Sequence, residues 1–223
     1  MTPQSWLKYP EIWAKPWWES ILIPSSPRRG CRSVAGKKIG ILALQGAFIE
    51  HQQALTSCGA QALQIRTARE LEQVDGLIIP GGESTTIGKL MQTYQLDTAI
   101  RSKFEQGMAI WGTCAGMILL AREIVGMDQP RLELMNIAVV RNGFGRQVDS
   151  FETELEVEKI GRVNGVFIRA PYAERVWGGA KVMASYDGKI VMAEDDRLLV
   201  TAFHPELTQN NCIHEYFLEK VSD

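Results

Sequence analysis

Gly107-Met108-Ala109-Ile110-Trp111-Gly112-Thr113-Cys114-Ala115-Gly116-Met117-Ile118-Leu119-Leu120 runs from a short apolar stretch through small residues into a helical apolar pattern. This predicts a strand ending at Trp111, a tight turn, and a helix that opens directly after Cys114. Glycines on either side of the cysteine permit a strained strand-to-helix turn that holds the apical side chain clear of both elements. A thiol at that apex faces a helix N-terminus, whose unpaired N–H groups and dipole favour thiolate over thiol. The pentapeptide alone leaves open an inert cysteine packed behind a strand.

Working outward, the chain from residue 38 alternates apolar runs with helical patterns. Strands are expected at 39–44, 62–66, 76–79 and 108–111, and helices at 47–58 (closed by Gly59), 86–92 and 98–106. After Arg131 the pattern turns strand-rich, at 152–158, 165–168, 181–185, 190–193 and 198–203, before a last helix at 210–221. This order predicts an α/β fold of three layers: a doubly wound, mainly parallel sheet flanked by helices, with its site at the carboxyl ends of the strands.

A cysteine nucleophile needs an imidazole base and a group to orient it. The chain has three histidines. His51 and His214 lie in helical patterns and read as helix-surface or packing residues, whereas His204 ends the strand run 198–203 and is followed by Pro205-Glu206. In an extended segment residues i and i+2 share a face, and Pro205 discourages a helical turn at His204. The Glu206 carboxylate therefore reaches the His204 ring, fixes its tautomer and stabilises the imidazolium. Upstream, Leu77-Ile78-Ile79-Pro80-Gly81-Gly82-Glu83-Ser84 is an apolar strand that breaks into a glycine pair. Such a pair can turn backbone N–H groups inward, which makes Gly82 and Ala115 the candidate oxyanion donors. A plain turn capped by Ser84 or Thr85 is the alternative.

Three motifs, Gly81-Gly82-Glu83-Ser84-Thr85, Gly112-Thr113-Cys114-Ala115-Gly116 and His204-Pro205-Glu206, resemble the class I, triad-type glutamine amidotransferases. With Leu44-Gln45-Gly46-Ala47-Phe48-Ile49-Glu50-His51, the block from Arg141 to Glu152, Phe167-Ile168-Arg169-Ala170-Pro171 and 201–208, the resemblance narrows to the glutaminase subunits of pyridoxal 5′-phosphate synthase, over about residues 38–223. It implies hydrolysis of L-glutamine to L-glutamate and ammonia through a γ-glutamyl thioester, with Cys114, His204 and Glu206 as the triad. Substrate contacts carry over to Gly82, Glu83, Ser84, Arg141, Ile168 and Arg169. No bound cofactor is implied. Both hydrolase and lyase character are implied, as is a partner: a synthase subunit that builds the vitamin B6 cofactor from a pentose phosphate, a triose phosphate and ammonia. The chain has no second region large enough for that synthase, so a separate polypeptide is expected. Two positions depart from the pattern. Glu133 stands where Gly is usual, and Gly143 where Ala is usual, which is expected to add backbone freedom beside Arg141.

Composition fits a globular enzyme: 45% hydrophobic, 22% charged and a net charge of −2. An apolar run of about eighteen residues, as a membrane span needs, is absent from the sequence. Cys31, Cys58, Cys114 and Cys212 form no C-x-x-C pair and accompany no secretory signal, so reduced thiols and a cytoplasmic location are expected. Few histidines and scattered cysteines argue against a metal site. Nucleic acid is not an expected partner either, because there is no basic stripe or P-loop. Residues 1–37 differ: they hold four of the six tryptophans, five prolines, and six Lys and Arg against two Asp and Glu. They are expected to form an extension, disordered or arising from a misassigned start, ahead of a glutaminase domain at 38–223.

Three rival readings stand beside the first. A glutaminase subunit of another pathway, imidazole or purine synthesis, would share the triad. A cysteine peptidase of related α/β type would share the elbow, and a non-catalytic binding subunit would need no triad at all.

Overall fold

The computed structural model describes residues 36–144 and 150–221. In chain order these form strands β1 (Lys38–Leu42), β2 (Gln61–Ile65), β3 (Gly76–Ile79), β4 (Ala109–Thr113), β5 (Ala121–Ile124) and β6 (Met135–Val140). Strands β7 (Ser150–Val157), β8 (Gly161–Ile168), β9 (Tyr172–Val176), β10 (Lys181–Tyr186), β11 (Lys189–Glu194) and β12 (Leu198–Thr201) follow. The helices are α1 (Phe48–Ser57), α2 (Ala68–Leu71), α3 (Ser84–Thr93), α4 (Leu96–Glu105), α5 (Ala115–Leu120) and α6 (Cys212–Lys220). Residues 1–35, which carry most of the distinctive N-terminal segment and Cys31, lie outside the described residues, as do Arg146 and Gln147.

The main sheet has the order β2-β1-β3-β4-β12-β11-β9-β6-β5, with β10 also paired to β11. From β2 to β12 every pairing is parallel. Strands β3, β4 and β12 are buried at every residue, as expected of parallel strands covered by helices on both faces. Beyond β12 the pairings through β11, β9 and β6 turn antiparallel. Strand β1 lies between β2 and β3, so the chain winds outward in opposite directions from the β1/β3 pair. The loops after these two strands meet at their carboxyl ends, where the Ala47 N–H donates to the Gly81 carbonyl at 3.1 Å, and a crevice opens beside them.

A separate hairpin, β7 with β8, runs in register from Ser150↔Ile168 to Val157↔Gly161. It is anchored to the sheet by aromatic packing: Phe151 stacks on Phe167 at 4.6 Å between ring centres, and Phe167 lies 5.6 Å from Phe203. The His204 N–H also donates to the Val166 carbonyl at 2.8 Å. This attachment brings the end of β8, Ile168, and the following Arg169 to the crevice.

Tertiary pairing moves several boundaries. β4 continues to Thr113 because Ile110–Thr113 pair with Leu198–Thr201. β8 starts at Gly161 because its first half pairs with β7. α3 opens at Ser84, since the Glu83 carboxylate accepts from the Thr85 and Thr86 N–H groups and caps the helix there. Strands β5, β6 and β9 lie outside the expected set; β6, Met135-Asn136-Ile137-Ala138-Val139-Val140, is a buried apolar run that the sequence does signal, whereas β5 and β9 carry no clear signal. Ala121-Arg122-Glu123-Ile124 and Tyr172-Ala173-Glu174-Arg175-Val176 put charged residues on an exposed face and pair toward the far edge of the sheet, where burial is one-sided and composition less telling.

Candidate active site

Cys114 sits at the junction of β4 and α5 with φ 48° and ψ −99°, a left-handed conformation rare for a residue with a side chain. Its surroundings hold it there. The Cys114 N–H donates to the Thr201 carbonyl at 2.8 Å, and its carbonyl accepts from Met117 N–H at 3.1 Å. Such strain costs roughly 1–3 kcal/mol and persists where neighbouring structure over-determines it. The thiol stands 8% exposed, directly ahead of α5, with Sγ 4.0 Å from the Ile168 carbonyl.

His204 follows β12, the strand parallel to β4, so the sheet itself sets cysteine and histidine side by side. The ring Nδ1 lies 2.7 Å from Glu206 Oε1, and the Cys114 side chain is the other group that acts on the ring. The His204–Glu206 contact forms differently from the extended segment that the sequence suggests. Pro205–Leu207 is a 3-10 turn, closed by Leu207 N–H to the His204 carbonyl at 3.3 Å, and it folds the carboxylate back onto the ring. Burial by itself would lower the His204 pKa; hydrogen bonding to Cys114 and Glu206 outweighs it and raises the value to about 10. The ring is thus held as imidazolium beside the sulfur. Since the folded value exceeds the ordinary 6.5, the stabilisation from this proton is complete below pH 6.5 and is lost as pH rises toward 10. With the sulfur removed, in Cys114→Ala, the His204 titration is expected to move downward. A nitrogen NMR titration of that ring checks this, and a value still near 10 would count against the pairing.

A cleft of about 420 Å³ opens over these groups. Its lining includes Gly82, Glu83, Ser84, Cys114, Ala115, Arg141, Ile168, Arg169 and His204. Glu206 alone among the expected site residues lies behind the wall, its side chain fully buried. Side-chain commitments sharpen the picture. The Glu83 carboxylate caps α3 and pairs with Arg141 at 3.3 Å; burial raises its pKa, but the bonds from Thr86 and Thr85 and the Arg141 charge outweigh this and keep it low. Ser84 Oγ donates to Gln129 Oε1 at 3.2 Å, and Arg141 Nη1 donates to the same oxygen at 3.0 Å.

Several contributors were not evident in the sequence. Gln45, in the loop after β1, accepts the Glu83 N–H at 2.7 Å and braces the glycine loop. Gln129 gathers Ser84, Thr85 and Arg141 through one oxygen, with no pattern in the chain to mark it. His51 and His214, expected at helix surfaces or in packing, are completely buried in polar contact behind the triad. The two departures from the family pattern also acquire reasons. Glu133 has φ 55°, a region that favours glycine, and pairs with Arg131 at 3.0 Å. Gly143 is not loosened: its N–H donates to Ala170 O at 2.9 Å, and a Cβ there would fall 2.0 Å from Tyr172 Cδ1.

A cysteine on a strand–helix elbow, with a histidine beside it and a buried carboxylate behind, at the carboxyl edge of a parallel sheet, has the form of a cysteine hydrolase site on an α/β scaffold. The sequence profile of the SNO glutamine amidotransferase family matches residues 41–223, and the chain belongs to that family. It is 55% identical over 185 residues to the pyridoxal 5′-phosphate synthase subunit PdxT of Desulforamulus reducens, covering 82% of this chain and 98% of the relative. The PdxT subunit of Thermus thermophilus is 51% identical over 183 residues, 81% of this chain and 96% of the relative. A crystal structure of a glutamine amidotransferase superposes with TM-score 0.80 at 48% identity, over 83% of this chain and 99% of the other. PurLQS from Thermotoga maritima, at TM-score 0.56 and 16% identity over 83% of this chain and 95% of the other, shares the fold. One expectation is corrected: lyase character does not belong to this chain, because a glutamine amidotransferase acts on its amide by hydrolysis. Among the described residues no helix is long and apolar enough to cross a membrane.

Proposed function

We propose that this chain is the glutaminase component of a pyridoxal 5′-phosphate synthase, hydrolysing L-glutamine to L-glutamate and ammonia and delivering the ammonia to a separate synthase subunit. The observation that carries the reading is the grouping of Cys114, His204 and Glu206, with Nδ1 held at 2.7 Å by a buried carboxylate and the thiol on the same cleft as the ring. The Cys114 thiolate adds to the side-chain carboxamide carbon. The Gly82 and Ala115 N–H groups receive the oxyanion, and the His204 imidazolium gives its proton to the departing ammonia as the C–N bond breaks. Neutral His204 then takes a proton from water, which attacks the thioester, releases glutamate and returns the thiolate. Arg141 and Arg169, at the cleft wall, suit the α-carboxylate of glutamine, and Glu83 offers an acceptor to its α-ammonium.

Ammonia released to water at neutral pH would be protonated and lost as a nucleophile, which supports a coupled acceptor. The PdxT name of the relatives places them as subunits of a pyridoxal 5′-phosphate synthase, and this chain carries over the same assembly by similarity. Glutamate release should therefore be slow for the purified chain and rise markedly when a cognate synthase subunit is added. Equal rates in the two conditions would remove the partner from the proposal, and no glutamate in either would remove the hydrolysis.

A further inference from the structure

All three histidines of the chain lie in one buried line through the Glu206 carboxylate, His204 on one side of it and His51 and His214 on the other. His51, on α1, presents Nε2 to Glu206 Oε2 at 3.4 Å and to Thr113 Oγ1 at 3.2 Å. Its Nδ1 lies 3.0 Å from Nε2 of His214, on α6. Both rings are 0% exposed and pack edge-on against Trp111, with centres 5.4 and 4.9 Å away. Glu206 Oε1 is occupied by His204, whereas Oε2 is fully buried and has no hydrogen-bond partner among the described residues, His51 Nε2 being its charge-pair contact. Resting on the glutaminase reading above, we propose that His51 is a positioning residue: its Nε2–H faces the second oxygen of Glu206 and fixes the carboxylate against His204, and His214 sets the tautomer that makes this possible.

The contact with Glu206 selects one arrangement of protons along this line, in which Nε2 donates rather than accepting from the Thr113 hydroxyl. A carboxylate oxygen can only accept, so an Nε2 lone pair at 3.4 Å would face it repulsively; Nε2 must carry the proton. Nδ1 of His51 is then an acceptor, and His214 must donate from its Nε2. That leaves a lone pair at His214 Nδ1, the buried atom without a partner. The reverse arrangement leaves an unpaired N–H in the core there and a lone pair against Glu206, two penalties in place of none at the carboxylate. Burial disfavours a charge on either ring: it lowers the pKa of His51, against the opposing pull of Glu206 and with the push of His204, and lowers that of His214 well below 6.5. His51 therefore acts as a neutral donor. At Glu206 burial would raise the carboxyl pKa, and His51 with His204 more than offset it.

The test is steady-state glutamine hydrolysis by the full chain with its synthase partner, comparing His51→Leu, which removes the donor, with His51→Gln, which restores one near Nε2. The Leu variant should lose roughly 10- to 100-fold in kcat, the range for lost orientation of a reacting group, with KM for glutamine within about twofold. Its acid limb should move to higher pH, since burial of the Glu206 charge is then opposed only by His204 and a backbone N–H. The Gln variant should recover most of kcat. A Leu variant with undiminished kcat and an unmoved acid limb, or a loss that Gln does not restore, would overturn the assignment. Should the Leu variant not fold, the nitrogen NMR tautomer of His51 in the unmodified protein decides: protonated Nε2 supports it, protonated Nδ1 overturns it. That measurement stands even if the protein hydrolyses no glutamine, an outcome that would fail the proposed function and leave the proton arrangement to be read separately.

Discussion

Cys114→Ala is expected to lower partner-stimulated glutamine hydrolysis by about 10⁴- to 10⁶-fold, the range seen when a nucleophile acting as one unit with its base is removed. No second thiol lines the cleft to replace it: among the described residues Cys114 is the cysteine on its wall. The proton held on His204 has no use without a thioester to form, so the glycine loop and Arg141 would bind glutamine and leave it intact. The fold should survive, because alanine retains the Cβ and the backbone bonds to Thr201 and Met117 that hold the elbow. Glutamate release by an end-point assay, with thermal unfolding alongside, checks this. Residual activity above a few per cent with an unchanged melting curve would place the nucleophile elsewhere.

Gly116→Ala is expected to cost at least about 3 kcal/mol, the upper range for overpacking, and to lower Tm by around 10 °C at the 2–4 °C per kcal/mol typical of this size. The added Cβ would fall 2.1 Å from the Ile79 carbonyl oxygen and 3.0 Å from its carbon, backbone of the buried strand β3 that cannot swing aside. Either α5 lifts off β3 or the Cys114 turn opens, and activity falls with stability in both cases. Gly59→Ala separates this from glycine loss in general. Gly59 has φ 81° with nothing within 4 Å of its added Cβ, so it incurs only the left-handed strain of about 1–2 kcal/mol. Equal denaturation midpoints for the two variants would show that close approach at Gly116 is not what the elbow requires.

How far the site could be read from the chain varies residue by residue. Cys114 was legible because a nucleophile elbow is local: strand, small residues and helix follow one another within fourteen positions. His204 and Glu206 were legible as a pair because they stand two positions apart, although the 3-10 turn that joins them was not. A local pattern cannot distinguish an extended His-Pro-Glu from a turned one, since proline allows both. His51 and His214 read as ordinary helical residues, because what buries them is the meeting of α1 and α6 over Trp111. Gln45 and Gln129 lie on loops and bond across 38 and 45 positions, to Glu83 and Ser84 respectively; Gln45 falls in a block of the family resemblance that does not reveal its role, and Gln129 carries no signature.

By itself, the sequence determined the succession of strands and helices in the parallel half of the sheet, the elbow, the glycine pair and the identity of the groups that reach the cleft. These follow from periodicity, from the special backbone needs of glycine and from residue chemistry, all of which act over a few neighbouring positions. The tertiary structure decided which edge of the sheet turns antiparallel, and where β5, β6 and β9 add to it. It also settled how the β7–β8 hairpin brings Ile168 and Arg169 over the thiol, and why the hydrogen-bonding line behind Glu206 runs through two histidines from opposite ends of the chain. Those outcomes depend on contacts between segments 62 to 163 residues apart, such as His51 with Thr113 and with His214. Only the packed core brings such groups within bonding distance, and burial then makes each of their protons costly to misplace.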